Sequence, residues 1–153
     1  MLQNGYKPYF SVMRIDIVNG PNLNLLGLRE PDIYGTVSFS TYLEGLKADF
    51  PEVDIRYFQS NIEGELIDYL QACGFVSDGI LLNAGGYTHT SVALSDTLAA
   101  ITSPVIEVHI SNIHAREEFR QQSLMARNCI GGITGLGLDG YRLGILHFLS
   151  IGS

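Results

Sequence analysis

Short runs of apolar and β-branched residues alternate along the chain with stretches in which apolar residues recur every three or four positions. The first pattern predicts strands at Arg14 to Val18, Val53 to Gln59, Gly79 to Asn83, Val105 to Ile110 and Ile130 to Thr134. The second predicts helices at Ser40 to Phe50, Glu63 to Cys73, Ser91 to Ile101 and Gly140 to Leu149, with a shorter turn near Ala115 to Gln121. Strands that alternate with helices build a parallel sheet covered on both sides, because a parallel crossover consumes a dozen or more residues and is usually helical. The predicted fold is therefore α/β, a flavodoxin-like open five-stranded parallel sheet with helices on both faces.

Open sheets of this kind collect ligands outside the carboxyl ends of their strands. Here those ends are polar: Asn19-Gly-Pro-Asn22, Gln59-Ser-Asn61, Asn83-Ala-Gly-Gly86 and Glu107-Val-His109-Ile-Ser-Asn112. Each has a purely structural explanation, since Asn and Ser cap helices and Gly permits tight turns. Four at one rim point instead to a site. Residues 19–38 form a 20-residue connection with two Pro and three Gly and no periodicity. A structureless segment of that length in a compact domain is usually a lid or binding loop when it is not disordered. Leu23, Leu25, Leu26, Leu28 and Ile33 argue against disorder and favour a partly mobile lid. Residues 1–12 precede the first strand and read as an appendage to a single domain spanning 13–153.

Composition narrows the possibilities. At 153 residues and 46% apolar content, the chain can bury one substantial core. No window approaches the roughly 18 apolar residues of a membrane span, and the N-terminus lacks the apolar core of a signal peptide. A cytoplasmic location is expected. Cys73 and Cys129 stand far apart without a C-x-x-C partner, so both are expected to be small core residues. A net charge of -7 speaks against nucleic acid or anionic membranes as partners. Seven of the nine basic residues are Arg, and only Lys7 and Lys47 are Lys, which leaves almost no candidate for Schiff-base chemistry.

Glu107 and His109 occupy positions i and i+2 of a strand, so both side chains face the same way. A carboxylate so placed can fix the histidine tautomer and support its protonated form. Gly135-x-Gly-x-x-Gly140 fits a dinucleotide fingerprint literally, but the required following strand with its acidic residue does not fit before Ser153. The glycines are better explained by close packing of strand on helix. Glu107, His109 and His114 lack a standard metal-ligand spacing. Ser91 and Ser111 lack a G-x-S-x-G elbow and are read as capping or backbone-bonded residues.

The segments Asn19 to Gly35, Gln59 to Asp68, Asn83 to Asp96, Pro104 to Arg120 and Gly135 to Tyr141 together resemble the signature blocks of the type II dehydroquinases, in order, from about Met13 to Phe148. Only the N-terminal appendage and Leu124 to Asn128 fall outside the likeness. The resemblance implies a lyase of the shikimate pathway that removes water from 3-dehydroquinate by anti elimination through an enolate, with no imine, metal or cofactor. It carries the role of base to Tyr34, of general acid to His109, of holder of an enolate-stabilising water to Asn22, and of histidine-orienting carboxylate to Glu107. Arg29 and Arg116 match the arginines beside the tyrosine and lid, whereas Asn83, His89, Arg120 and the Ile110-Ser111 backbone match substrate binders. Asp96 matches a residue that reaches a neighbouring subunit's site, and the family assembles as dodecamers of four trimers. From composition alone, Tyr34 is better read as a packed loop residue with solvated arginines nearby. A flavodoxin-like module that binds without turnover is the competing function.

A tyrosine has an ordinary pKa of about 10, so a base working near neutrality needs a depression of about 3 units, or about 4 kcal/mol. A cation about 4 Å away at an effective dielectric of about 20 supplies about 4 kcal/mol before desolvation opposes it. One or two arginines meet that need. If residues 115–121 are helical, Arg116 and Arg120 share a face at i, i+4.

Overall fold

Alternation along the first strand decides what each side of the sheet is made of. Ile15 and Ile17 enter one apolar cluster, while Val18 enters the other and Asp16 shares its side. The computed structural model describes residues 11–28, 32 and 36–152. Its strands are β1 (Met13–Asn19), β2 (Val53–Gln59), β3 (Gly79–Asn83), β4 (Val105–His109) and β5 (Gly131–Thr134). They form one sheet in the order β2-β1-β3-β4-β5, parallel throughout. The helices among the described residues are α1 (Phe39–Asp49), α2 (Glu63–Cys73), α3 (Val92–Ala100) and α4 (Asp139–Ile151).

Helices α1 and α4 cover one face, packing Phe39, Leu46, Tyr141, Ile145 and Phe148 onto Ile15, Ile17, Ile55, Leu81 and Val108. Helices α2 and α3 cover the other, with Leu66, Leu70, Leu94 and Leu98 against Val18, Ile80, Leu82 and Val105. Each fully buried side chain of this size stabilises the fold by about 1.5–3 kcal/mol. The predicted fold and strand positions agree with this arrangement, and the element ends differ by two residues or fewer. Capping accounts for two helix starts: Ser38 Oγ accepts from Thr41 N at 3.3 Å, and Ser91 Oγ accepts from Leu94 N at 2.9 Å.

Two expectations need revision. Residues 115–121 do not form one helical turn; 3-10 turns at Ile113–Ala115 and Glu118–Arg120 flank an extended Arg116 (φ -101°, ψ -171°). The Arg116 carbonyl accepts from the Gln121 side chain at 3.0 Å, which ties the chain locally without a helical ladder. The glycines after β5 do different jobs: Gly135 and Gly137 take φ of 84° and 62° in the turn, Gly135 also lying close against Asn112, and Gly140 packs helix on sheet, its absent Cβ falling 3.1 Å from Val108 Cγ1. In the first connection, Leu23 and Leu26 are buried in the core, whereas Leu25 and Leu28 are exposed. Ile33 lies outside the described residues.

Cys73 is buried and Cys129 partly buried against the same cluster, both as free thiols, and burial pushes each thiol up to about 12. Among the described residues, no helix is long and apolar enough to cross a membrane.

Candidate active site

Strand order reverses between β1 and β3, because the chain leaves β1 for β2 on one side and returns to β3 on the other. A crevice at the carboxyl ends is the expected result of such a switch. A cavity of about 150 Å³ lies there, lined among others by Asn22, Asn83, His89, His109, Arg116 and Arg120. Its neighbouring loops approach closely: a Cβ on Gly20 would stand 2.4 Å from the Ala84 carbonyl oxygen, so only glycine fits there.

The floor is tied to the sheet. Asn19 and Asn83 are register partners at the ends of β1 and β3. Tyr141 of α4 donates its hydroxyl to Asn19 Oδ1 at 2.7 Å and accepts from Asn83 Nδ2 at 3.1 Å. Asn83 Oδ1 in turn accepts from Gly85 N at 3.2 Å. Asn22 adopts a left-handed conformation (φ 69°) that few residues other than glycine take, though Asn tolerates it best. Its backbone N–H donates to Asn61 Oδ1 at 2.9 Å. Tyr87 Oη and Gln59 Nε2 secure Asn61 from either end, at 2.9 and 3.3 Å.

The wall toward β4 carries the pair foreseen in the strand alternation. Glu107 and His109 are only 4% and 7% exposed, and His109 Nε2 is hydrogen-bonded to Glu107 Oε1. An ionised carboxylate only accepts, so Nε2 carries the proton of that bond and Nδ1 is the nitrogen left for exchange. Burial presses the Glu107 carboxyl upward, but hydrogen bonds from His109 and Ser123, with the charges of His109 and His89, outweigh it and hold the group below the ordinary carboxylate range. The His89 and His109 rings lie 6.4 Å apart and 23° from parallel. His89 Nδ1 donates to the Gln122 carbonyl at 2.6 Å.

At the outer wall, Arg116 and Arg120 flank Glu117, whose Oε2 stands 3.8 Å from Arg116 Nε and 3.1 Å from Arg120 Nε. The Arg120 guanidinium also sits 4.9 Å over the Phe119 ring. The two arginines line one cavity although no helix face joins them. Ile110 and Ser111 line it as well. Asp96 is exposed on α3 and does not line the cavity. Tyr34 and Arg29 lie outside the described residues. His114 is exposed, and among the described residues no group of three or more His, Cys, Asp or Glu side chains is placed to hold a metal ion.

Two residues that the sequence pattern did not single out belong to this construction. Tyr141 holds both asparagines of the floor from the last helix, and Ser123 Oγ donates to Glu107 Oε1 at 2.7 Å. Neither stands near its partner in sequence, so spacing carries no trace of the contact.

A rim with a carboxylate–histidine pair, asparagines and paired arginines suits a polyhydroxylated anion that undergoes proton transfer. The family model for dehydroquinase class II matches residues 13–149. The chain belongs to the class II dehydroquinase family. A family member named 3-dehydroquinate dehydratase from Fusobacterium nucleatum subsp. nucleatum is 50% identical over 143 residues, covering 90% of this chain and 97% of the relative. One of the same name from an Exiguobacterium species is 56% identical over 132 residues, with 86% and 90% covered. The crystal structure of a type II dehydroquinase from Butyrivibrio crossotus superimposes with a TM-score of 0.86 at 42% identity, covering 90% of this chain and 97% of that one. The class II dehydroquinase fold and the flavodoxin-like sheet expected from the sequence are thus the same architecture.

Proposed function

We propose that the cleft converts 3-dehydroquinate to 3-dehydroshikimate by dehydration, with His109 as the acid that releases water. The chain is a lyase of the shikimate pathway, as its family membership and its 50–56% identity to 3-dehydroquinate dehydratases indicate. The observation that supports the role of His109 is its hydrogen bond to buried Glu107 at the cavity wall. Glu107 stabilises the imidazolium before transfer and fixes the ring afterwards. The proton departs from Nδ1 to the leaving hydroxyl, and the C–O bond breaks to give water and a conjugated enone.

In this reading Tyr34, as phenolate, takes the proton next to the substrate ketone and leaves an enolate. Arg29 and Arg116 favour the phenolate, and Asn22 holds a water against the enolate oxygen. Asn83, His89, Arg120 and the backbone of Ile110 and Ser111 bind the substrate's carboxylate and hydroxyls. The elimination is anti and reversible and involves no imine, metal or cofactor. Asp96 completes the site of a neighbouring subunit within a dodecamer of four trimers, consistent with its exposure on α3. Residues 1–12 are an appendage to the catalytic domain 13–153, and the enzyme works in the cytoplasm, in aromatic biosynthesis or in quinate catabolism.

The test is to give the purified protein 3-dehydroquinate and follow the absorbance of the conjugated enone. Product formation that Tyr34→Phe nearly abolishes, with ligand binding retained, is the expected result. No product from the wild-type protein would sink the lyase reading, and near-normal turnover in Tyr34→Phe would remove Tyr34 as base.

A further inference from the structure

The segment from Gln122 to Ala126 meets the site from behind. Ser123 does not line the cavity, yet its hydroxyl donates to Glu107 Oε1 at 2.7 Å, the same oxygen that is bonded to His109 Nε2. The backbone N–H groups of Met125 and Ala126 each donate to Ser123 Oγ at 3.1 Å. A hydroxyl has one proton and two lone pairs. With both lone pairs engaged by N–H donors, the proton of Ser123 is directed to Glu107.

The surroundings hold this serine still. Leu124 N donates to the Thr88 carbonyl at 2.9 Å, and the Leu124 carbonyl accepts from Ser95 Oγ of α3 at 2.8 Å. Asn128 Nδ2 donates to the Ser95 carbonyl at 2.9 Å. The preceding Gln122 carbonyl is the acceptor for His89 Nδ1 at 2.6 Å. One short stretch without α-helix or strand therefore braces both histidines of the cavity, His89 through a main-chain carbonyl and His109 through Glu107.

We infer that Ser123 is a positioning residue for the dehydration: its hydroxyl locks the Glu107 carboxylate in place and draws off part of its charge, so that His109 is held in one orientation and parts readily with its proton. The inference rests on the reading of His109 as the acid. A carboxylate oxygen shared between two donors attracts each less strongly. Without Ser123 the whole of that attraction falls on the imidazolium, which then binds its proton more tightly and becomes a weaker acid. The other titratable and charged groups around the pair are His89 from the turn after β3, Cys129 ahead of β5, and Arg116 and Arg120 from the outer wall. The Glu107 oxygen that Ser123 holds is the one bonded to His109 Nε2.

The experiment compares the wild-type enzyme with Ser123→Ala and Ser123→Thr, measuring kcat and KM for 3-dehydroquinate against pH. It also follows the side-chain NMR titration of His109 in the substrate-free protein. Ser123→Ala is expected to lower kcat by about ten- to a hundredfold, the factor that follows from losing one hydrogen bond to a charged group, with KM changed by less than about twofold. The His109 midpoint is expected to move upward, and the alkaline limb of kcat with it. Ser123→Thr, which keeps the hydroxyl, is expected to restore both. A His109 midpoint unmoved in Ser123→Ala overturns the inference, as does a fall in kcat that follows only a fall in melting temperature. Should Ser123→Ala fail to fold, Ser123→Cys reads the same quantities, because a thiol keeps the volume but donates weakly. Turnover that survives in His109→Ala would instead sink the acid assignment, and it is read from a different variant.

Discussion

The sheet face beneath α2 and α3 holds two buried carboxylates, and they are built for different ends. Asp16 of β1 is fully buried and receives Arg14 Nε at 2.8 Å, Arg14 Nη2 at 3.1 Å and the Tyr69 hydroxyl at 2.6 Å. Glu107 of β4 receives His109 Nε2 and the Ser123 hydroxyl. In both, burial is the largest influence and pushes the carboxyl upward. In both the hydrogen bonds win and hold it below the ordinary range. What separates them is the partner. A guanidinium does not give up its proton, so the Asp16 cluster can only hold the fold. An imidazole exchanges its proton in the physiological range, so the same design beside a cavity becomes chemistry. A buried charge on a strand is thus no sign of a site until its partner can change state and reach a ligand.

His109→Ala breaks this contrast most sharply. Loss of a general acid lowers kcat per folded molecule by about 10²–10⁴-fold, and the melting temperature should fall as well, because buried Glu107 loses its imidazole partner. A kcat per folded molecule equal to that of the wild type would place His109 with Asp16 as a structural residue. Asp16→Asn should show the reverse, a loss of about 3 kcal/mol in denaturant unfolding with kcat per folded molecule unchanged. That is the low end for breaking a buried pair, chosen because Arg14 is partly solvated.

Acid titration sharpens what the two clusters share. Both carboxyls titrate lower in the folded protein than in the unfolded chain. Their contribution to stability is therefore full above the unfolded value near 4 and is lost as pH falls through the folded values. The melting temperature should drop steeply below about pH 4, and the slope should be shallower in Asp16→Asn and in Glu107→Gln. A slope identical to wild type in both variants would remove the two carboxylates as its cause. The smallest effect is expected from Tyr69→Phe, a loss of about 1 kcal/mol with activity intact. The ring keeps its stacking on Phe58 at 4.4 Å, so only the hydroxyl is tested.

Much of this was legible in the chain because it rests on local periodicity. Glu107 and His109 were found together because a strand alternates its faces, and Asn22 and Asn83 because parallel sheets gather polar ends at one rim, whereas His89 was named only by the family resemblance. Ser123 was not, since its acceptor lies 16 residues back and it sits in a stretch without a repeating pattern. Nor was the network of Asp16, whose tyrosine partner is 53 residues away. The supposed helical turn at 115–121 failed for a related reason. Its Glu, Phe and Arg residues suit a helix, but the Gln121 side chain captures the Arg116 carbonyl, a tertiary detail that propensity does not register.

The hydroxyl of Tyr141 joins Asn19 across 122 residues of chain. Its helix is the last regular element of the described residues. Proteins are made from the N-terminus onward, and contacts so distant in sequence form late. The ribosome must have made the chain through α4 before the two asparagines of the floor acquire their common anchor. No nascent fragment, however well its first strands have paired, can own a finished pocket.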